Sequence, residues 1–288
     1  MFGHSKTQAE GYARWQKLFA FIDGPPSQRV ISVGNNFQHD YGRSKINFMP
    51  VFRAIDAAFD AILPRDSFSF QNISRRVGFD RMARVQQGMD CAFLLPPLPP
   101  MEKQDIFTCF FGRSGFEAPE RLIAMVEEQT GLRAAPINTW LKLRDSTADA
   151  DFEAARHQIL QSRFVLTDTY HLSINSFTLG VPVIGMGRAE ERQRGTLGDF
   201  KKKILFDMLN LRSLYCEAGA EEENEYFRQV TEKIRYELAR NFNLPDRHAL
   251  LRHLADKFRA DLDAAIFGPP GWQAPAASPD SCKQPAPV

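Results

Sequence analysis

The segment Thr167–His171 has the side chains best placed to do chemistry. It leaves an apolar strand and enters a short helix that ends at Gly180. The first turn of a helix has unbonded backbone N–H groups and a partial positive charge, so this turn could hold an anion. His171 could donate a hydrogen bond to that anion or move a proton, because imidazole titrates near neutral pH. The alternative is that Thr167 or Asp168 only caps the helix and that His171 packs against its neighbours.

A second candidate site for an anion is the glycine-containing turn Phe111–Gly115, which follows an apolar strand. Gly112 and Gly115 would let the backbone approach a ligand closely. Arg113 could bind a carboxylate or phosphate through two parallel hydrogen bonds, and Ser114 is a candidate substrate-binding residue beside it. A surface turn with a solvated arginine is the alternative, since the turn lacks the complete GxGxxG spacing.

Cations that could bind an anionic substrate follow two other predicted elements. Lys142 and Arg144 come after a predicted strand, and Lys201 begins a run of three lysines at the start of an amphipathic helix. A run of like charges is more often a solvated face. Cations at a helix N-terminus are also disfavoured by the helix dipole, so we expect Asp199 to compensate them.

Polar residues in the first hundred positions are further candidates. Asn36 and His39, after the first predicted strand, could bind sugar hydroxyls, with His39 as an acid or base. A tight turn is the alternative there. Arg65 and Asp66 with Ser69 could form a catalytic charge pair, but we favour a structural ion pair and a helix cap at Ser69.

Strand-like and helix-like segments alternate along the chain, which is typical of an α/β fold with a parallel sheet covered on both faces. The predicted strands are Arg29–Val33, Ala61–Arg65, Asp105–Phe111, Ala135–Trp140, Arg163–Asp168 and Val181–Gly185. In such sheets ligands bind outside the carboxyl ends of the strands. The candidate residues follow several of those ends, so the fold would gather them along one edge.

Apolar residues at helical spacing, together with cap residues, predict the helices. Proline suits the first turn of a helix and glycine its end. The predicted helices are one with Tyr12, Trp15, Phe19 and Ile22 on one face, one with Val51, Ile55, Phe59 and Ile62, one from Ser69 to Gly78, one from Pro119 to Gly131, one starting at Asp149 or Asp151, the short one ending at Gly180, and two long closing helices with stripes at 227–238 and 251–262.

The proline-rich stretch Leu94–Pro100 is the predicted domain boundary, because four prolines make a stiff, extended connector. Residues 1–100 would form a first Rossmann-like domain and residues 101–267 a second one with the closing helices. Residues 268–288 are rich in proline and alanine, and we expect this tail to be disordered.

The composition excludes several classes of protein. The 288 residues carry a net charge of +1, which supplies no broad field for nucleic acid or an anionic membrane. The four cysteines and six histidines lack disulfide-framework and metal-ligand spacings, so we expect no structural metal and no cofactor. No apolar run approaches the ~20 residues of a membrane helix, and the start has no signal-peptide core. We predict a soluble, cytoplasmic protein without P-loop, zincin or Ser/His/Asp chemistry.

Two stretches of the sequence resemble the polysaccharide pyruvyl transferase family. The first is Ile62–Ser69, followed by Gly78 and Asp90–Leu95, which is similar to the family's "RD..S" and "pD.af.L" patterns. The second is Ser162–Gly185, which is similar to the family's strand, "SDRLH", helix and "GvPvi" block. The likeness covers roughly residues 29–210, and the second stretch is the more specific of the two.

The resemblance implies two Rossmann-like domains in a glycosyltransferase-B-like arrangement around a cleft. It implies a transferase that moves a pyruvyl group from phosphoenolpyruvate to a sugar of a cell-surface or exopolysaccharide, forming a ketal. His171 matches the family's histidine and would serve as a hydrogen-bond donor or acid. Arg113 matches a family arginine and would clamp the donor, while the backbone of Thr167–Tyr170 would cradle its charge. The partners implied are therefore phosphoenolpyruvate and a saccharide acceptor.

The sequence departs from the family pattern in two places. Thr169 and Tyr170 stand where the family has arginine and leucine, so Lys142, Arg144 or Lys201 would have to supply the missing cation. The family's glycine-rich opening is absent, and we expect the first domain to be incomplete. These departures leave two alternatives open: a glycosyltransferase that uses a nucleotide sugar in the same cleft, and a catalytically inactive binding module of the same fold.

Overall fold

The part of the chain that the structure describes contains two parallel β-sheets. The computed structural model describes residues 29–37, 49–76, 85–96, 98–112, 114–137, 148–189 and 199–268. Strands β1 (Ile31–Val33) and β2 (Ala61–Leu63) pair in parallel as a small sheet. The larger sheet has five parallel strands in the order β4-β3-β5-β6-β7. These strands are β3 (Ile106–Phe110), β4 (Arg133–Pro136), β5 (Val165–Thr167), β6 (Val183–Arg188) and β7 (Tyr215–Ala218).

Helices connect and cover the strands, as the alternation in the sequence predicts. The α-helices of the described residues are α1 (Met49–Ala58), α2 (Ser67–Ser74), α3 (Pro119–Thr130), α4 (Ala148–Gln161), α5 (Tyr170–Thr178), α6 (Phe200–Met208), α7 (Glu223–Ala239) and α8 (Leu244–Phe267). Short 3₁₀ helices span Cys91–Leu94, Arg212–Leu214 and Asn241–Asn243. None of the described helices has the length and apolar character needed to cross a membrane.

The order of the larger sheet places a topological switch point between β3 and β5. Numbered from its own first strand, the sheet has the order 2-1-3-4-5, the arrangement of flavodoxin-like folds. The chain runs from β3 outward to β4 and then crosses back to β5 on the other side of β3. Ligands in such sheets bind in the crevice outside the carboxyl ends of the two strands at the switch point.

The central strands of the larger sheet lie in the hydrophobic core. Strand β5 is buried on both faces, as expected for a central strand of a covered parallel sheet. On α7 the predicted stripe is confirmed, because Phe227, Val230 and Ile234 are fully buried. Apolar residues of the first hundred positions, Leu63 among them, join the same hydrophobic cluster. A smaller cluster around Phe37, Phe52, Ile55 and Ile73 supports the two-stranded sheet.

Several predicted boundaries shift for physical reasons. The cap of α2 is Asp66 rather than Ser69, because the Asp66 carboxylate accepts the Ser69 N–H at 2.7 Å. That helix ends at Ser74, short of the predicted Gly78. Strand β6 starts after Pro182, since proline has no N–H to donate to the ladder, and extends to Arg188.

The region around β4 shows both a confirmed and a shifted prediction. Helix α3 begins at Pro119 and is capped by Gly131, whose φ of 69° is the left-handed conformation predicted from glycine. This cap turns the chain at once into β4, which therefore occupies Arg133–Pro136 rather than 135–140. The predicted first helix at 12–22 and the tail beyond 268 lie outside the described residues.

Candidate functional site

The two polar segments singled out in the sequence meet at the switch point. The Asp168 carboxylate, after β5, accepts hydrogen bonds from the backbone N–H groups of Gly112 (3.1 Å) and Ser114 (2.7 Å), after β3. Asp168 is only 1% exposed, so these bonds are shielded from water. One buried carboxylate therefore holds the glycine-containing turn against the start of α5.

Replacing Asp168 with alanine should loosen this turn and destabilise the fold. Because hydrogen bonds to charged groups are each worth about 1.5–3 kcal/mol, we expect a loss of roughly that size or more in the free energy of unfolding. Asp168→Asn keeps an acceptor oxygen and should lose less. Urea denaturation measures both variants. As a control, Asp105→Ala removes an exposed carboxylate paired with Arg163 and should have little effect; equal losses for the two alanine variants would contradict the assignment.

A buried lysine completes the same network. The Lys202 ammonium donates to Ser114 Oγ (2.8 Å) and to the carbonyl oxygens of Asp168 (2.7 Å) and Met186 (2.7 Å). It also pairs with the Asp199 carboxylate at 2.5 Å. Burial lowers the pKa of Lys202, and the Asp199 carboxylate opposes that shift. With four acceptors around it, this ammonium holds loops together and is not available to a ligand.

The lysine run thus divides into residues with different roles. Lys201, the residue proposed from the sequence, is half-buried, whereas Lys202 points into the protein. Successive residues of a helix are about 100° apart, so two adjacent lysines cannot share one direction. Asp199 lies at the N-cap of α6 and compensates the lysines as predicted. The signal that could have identified Lys202 is the i, i+3 spacing from Asp199.

The start of α5 keeps its first-turn N–H groups free of a side-chain cap from Thr169. Thr169 is the N-cap residue, but its hydroxyl lies 3.0 Å from Thr167 Oγ1 and makes no cap bond. The Thr169 N–H donates to Thr167 Oγ1, and that hydroxyl in turn donates to the Phe110 carbonyl. The alternative in which Thr167 or Asp168 caps α5 is therefore wrong, since both side chains bond elsewhere.

His171 is the exposed side chain of this segment. The four residues before it are buried, whereas His171 lies at the surface as the second residue of α5. Its ring stands edge-on to the Tyr170 ring, with 5.4 Å between the ring centres. The imidazole is therefore held at one side by an aromatic ring and is not packed in the hydrophobic core.

The Tyr170 ring joins the two sheets. The Arg65 guanidinium, just after β2, lies 4.3 Å from the centre of the ring, and the Lys201 ammonium lies 5.7 Å from it. These are cation–π distances. Burial raises the pKa of the Tyr170 hydroxyl well above its usual value, and Arg65 opposes that rise. The tyrosine is therefore a neutral aromatic surface on which cations from two elements meet.

The predicted structural ion pair between Arg65 and Asp66 is confirmed. Arg65 Nε lies 3.3 Å from Asp66 Oδ2, and Arg65 Nη1 lies 4.0 Å from the Asp90 carboxylate. Each carboxylate also caps a helix: Asp66 caps α2, and Asp90 accepts the Ala92 N–H at 3.0 Å. Asn36 approaches the same turn, with its Oδ1 3.5 Å from Ser69 Oγ.

Some predicted site residues remain predictions. Arg113, His39, Lys142 and Arg144 lie outside the described residues. The roles of Thr167, Asp168, Thr169 and Tyr170 in substrate binding, and those of Gly112, Ser114, Asn36 and Lys201, are likewise untested by the geometry. The buried side chains among them are engaged within the protein, so their backbone is the part that could face a ligand.

A comparison with known families gives one match. The model of the polysaccharide pyruvyl transferase family matches residues 18–190, which is more than half of the 288 residues. The match includes Arg65 and the segment Thr167–His171, and it ends before α6. No curated protein matches the chain. The protein therefore belongs to the polysaccharide pyruvyl transferase family.

Proposed function

We propose that the protein transfers the pyruvyl group of phosphoenolpyruvate to two hydroxyls of a sugar in a cell-surface or extracellular polysaccharide. The observation that carries the proposal is the exposed His171 at the start of α5, beside the switch point of the larger sheet and within the family match. Family membership implies a transferase acting on saccharides, and the site supplies an ionisable side chain where a ligand is expected.

The reaction needs a proton donor and a place for negative charge. The methylene carbon of phosphoenolpyruvate takes a proton and becomes a methyl group. The neighbouring carbon forms bonds to two sugar oxygens while its bond to the phosphate oxygen breaks. The two sugar hydroxyls give up two protons: one balances the proton taken by the methylene carbon, and the other leaves with the phosphate. We assign His171 as the acid or hydrogen-bond donor. The N–H groups at the start of α5, together with Arg113, would hold the anionic donor and the departing phosphate.

The arrangement of the two sheets supports a cleft between two domains. The ends of β2 and β5 meet where Arg65 contacts Tyr170, and Phe68 of α2 packs against Phe200 of α6 with 5.2 Å between ring centres. We propose that residues 1–100 and 101–267 act as two Rossmann-like domains whose carboxyl strand ends enclose the substrates. The acceptor sugar would then lie on the side of the first domain, near Asn36.

The function is tested by supplying donor and acceptor together. We expect phosphate release from phosphoenolpyruvate only when a saccharide acceptor is present, with the acceptor gaining one pyruvyl ketal by mass spectrometry. Incubation without acceptor is the control. Thermal unfolding with phosphoenolpyruvate and with nucleotide sugars separates the alternatives. Stabilisation and turnover with a nucleotide sugar alone would identify a glycosyltransferase, and no response to any donor would identify a binding module.

A further inference from the structure

A cleft of about 510 Å³ lies at the far end of α5 from the candidate site. The proline-rich stretch after Phe93, the last turn of α5 and the first part of α8 form its walls. Thr178 lines the cleft and follows His171 by seven residues, which is two turns or about 10 Å along the helix. The cleft has the size of a small-molecule site and is separate from the start of α5, where the donor is expected.

The walls of this cleft are mainly apolar. Leu94, Leu95 and Leu98 line it from the proline-rich stretch, and all three are half-buried. Leu95 has the extended backbone (φ −62°, ψ 143°) typical of such stretches, so these leucines are held in place without a regular helix or sheet. From α8, the buried residues Leu251 and Ala255 line the cleft. The cleft therefore offers a preformed apolar surface to a hydrocarbon chain.

The rim of the cleft on α8 carries an excess of positive charge. Arg252, Asp256 and Arg259 are exposed and lie four and three residues apart, so they share one face of the helix. Arg259 is already engaged, because it pairs with the Asp256 carboxylate at 3.0 Å and donates to the Phe93 carbonyl at 2.9 Å. Arg252 has no hydrogen bond or ion pair with another described residue. Its guanidinium is the group left to meet an acidic ligand.

We propose that this cleft binds an amphipathic anion, a hydrocarbon chain that ends in a carboxylate or a phosphate. The chain would lie between the proline-rich stretch and α8, and the acidic head would contact Arg252. The apolar walls and the charge at the rim favour this occupant over a sugar, whose hydroxyls would lose water without gaining enough polar partners. The ligand would touch both elements that the Arg259–Phe93 bond joins. The inference goes beyond pyruvyl transfer and does not depend on it.

Isothermal titration with single probes, each below its micelle concentration, tests the proposal. We expect decanoate and decyl phosphate to bind at one site per chain. Decyltrimethylammonium has the same tail with a positive head and should bind at least about 10-fold more weakly, as expected for loss of a charge-assisted contact. Decanoate should bind roughly 15-fold more tightly than octanoate, since each buried methylene contributes about a fourfold factor. The tighter of the two anions identifies the preferred head group.

Variants on α8 locate the binding site. Arg252→Ala removes the cation at the rim and should raise the dissociation constant of decanoate about 10-fold. Lys257→Ala is the control, since Lys257 is an exposed cation of α8 that does not line the cleft, and the constant should change less than about twofold. Ala255→Leu places a larger side chain in the cleft and should abolish binding, whereas Ala260→Leu adds the same bulk at an exposed position.

The outcomes distinguish a specific site from unspecific adsorption. Binding that is lost in Ala255→Leu and weakened in Arg252→Ala would support the proposal. Three results would overturn it: no saturable binding of either anion, equal affinity for the anionic and cationic probes, or affinities that neither variant changes. Where Ala255→Leu does not fold, Arg252→Glu decides the question, because the side chain it replaces is exposed. Decanoate binding without any pyruvyl transfer would support this site and overturn only the proposed function.

Discussion

Replacing His171 with alanine should lower the rate of pyruvyl transfer at least about 100-fold, the usual range for loss of a general acid. The ring is exposed and lies outside the core, so the variant should fold with unchanged stability. Steady-state phosphate release with saturating phosphoenolpyruvate and acceptor measures kcat, and urea denaturation checks the fold.

Two further variants serve as controls for the His171→Ala experiment. His157→Ala removes another exposed histidine, on α4, and should leave kcat unchanged. His171→Asn keeps a hydrogen-bond donor but cannot deliver a proton at neutral pH. If His171 is the acid, the asparagine variant should bind phosphoenolpyruvate normally and still turn over slowly. Full activity in His171→Ala would show that the reacting atoms lie elsewhere.

Replacing Lys202 with methionine should cost about 3–5 kcal/mol of unfolding free energy, because it leaves a buried charge without its partner. The Asp199 carboxylate would remain in a nearly dry site, and the carbonyl oxygens of Asp168 and Met186 would lose a donor. Methionine fills a similar volume, so the loss reports the charge and its hydrogen bonds rather than a cavity. Urea denaturation at neutral pH measures it.

The next residue supplies the control for Lys202. Lys203 pairs with Glu217 at 3.1 Å on the partly exposed side of α6. A pair of this kind contributes about 0–1 kcal/mol, so Lys203→Met should change stability little. If both methionine variants lose the same amount, the buried network is not what holds the loops together.

That the two polar turns of the candidate site lie close together could be predicted from the sequence, because their proximity depends on chain order. Strands alternate with helices, and parallel strands bring their carboxyl ends to one edge. The turn Phe111–Gly115 and the segment Thr167–His171 follow two such strands, and they are found in contact through Asp168. The stripes of α7 and the ends of α3 were likewise readable from spacing and caps.

The direction of individual side chains could not be predicted in the same way. Which lysine of α6 points inward depends on how Leu205 and Phe206 pack against the sheet. A run of identical residues does not show which of them lies on the buried face of the helix. Arg65 follows a strand of the small sheet and Tyr170 follows a strand of the larger one. The local sequence around either residue does not indicate that the two side chains are in contact. Asp66 and Ser69 are both good cap residues and lie three positions apart, so the sequence did not show that Asp66 is the one that caps α2.

The ammonium of Lys202 lies beyond the last residue that the family model matches. A chain shortened to end at position 190 would keep His171, Arg65 and both polar turns, yet the carbonyl of Asp168 and the hydroxyl of Ser114 would lose the donor that joins them. The stretch that matches the family is thus not a self-sufficient unit, because a lysine downstream of it holds together the turns that follow β3 and β5.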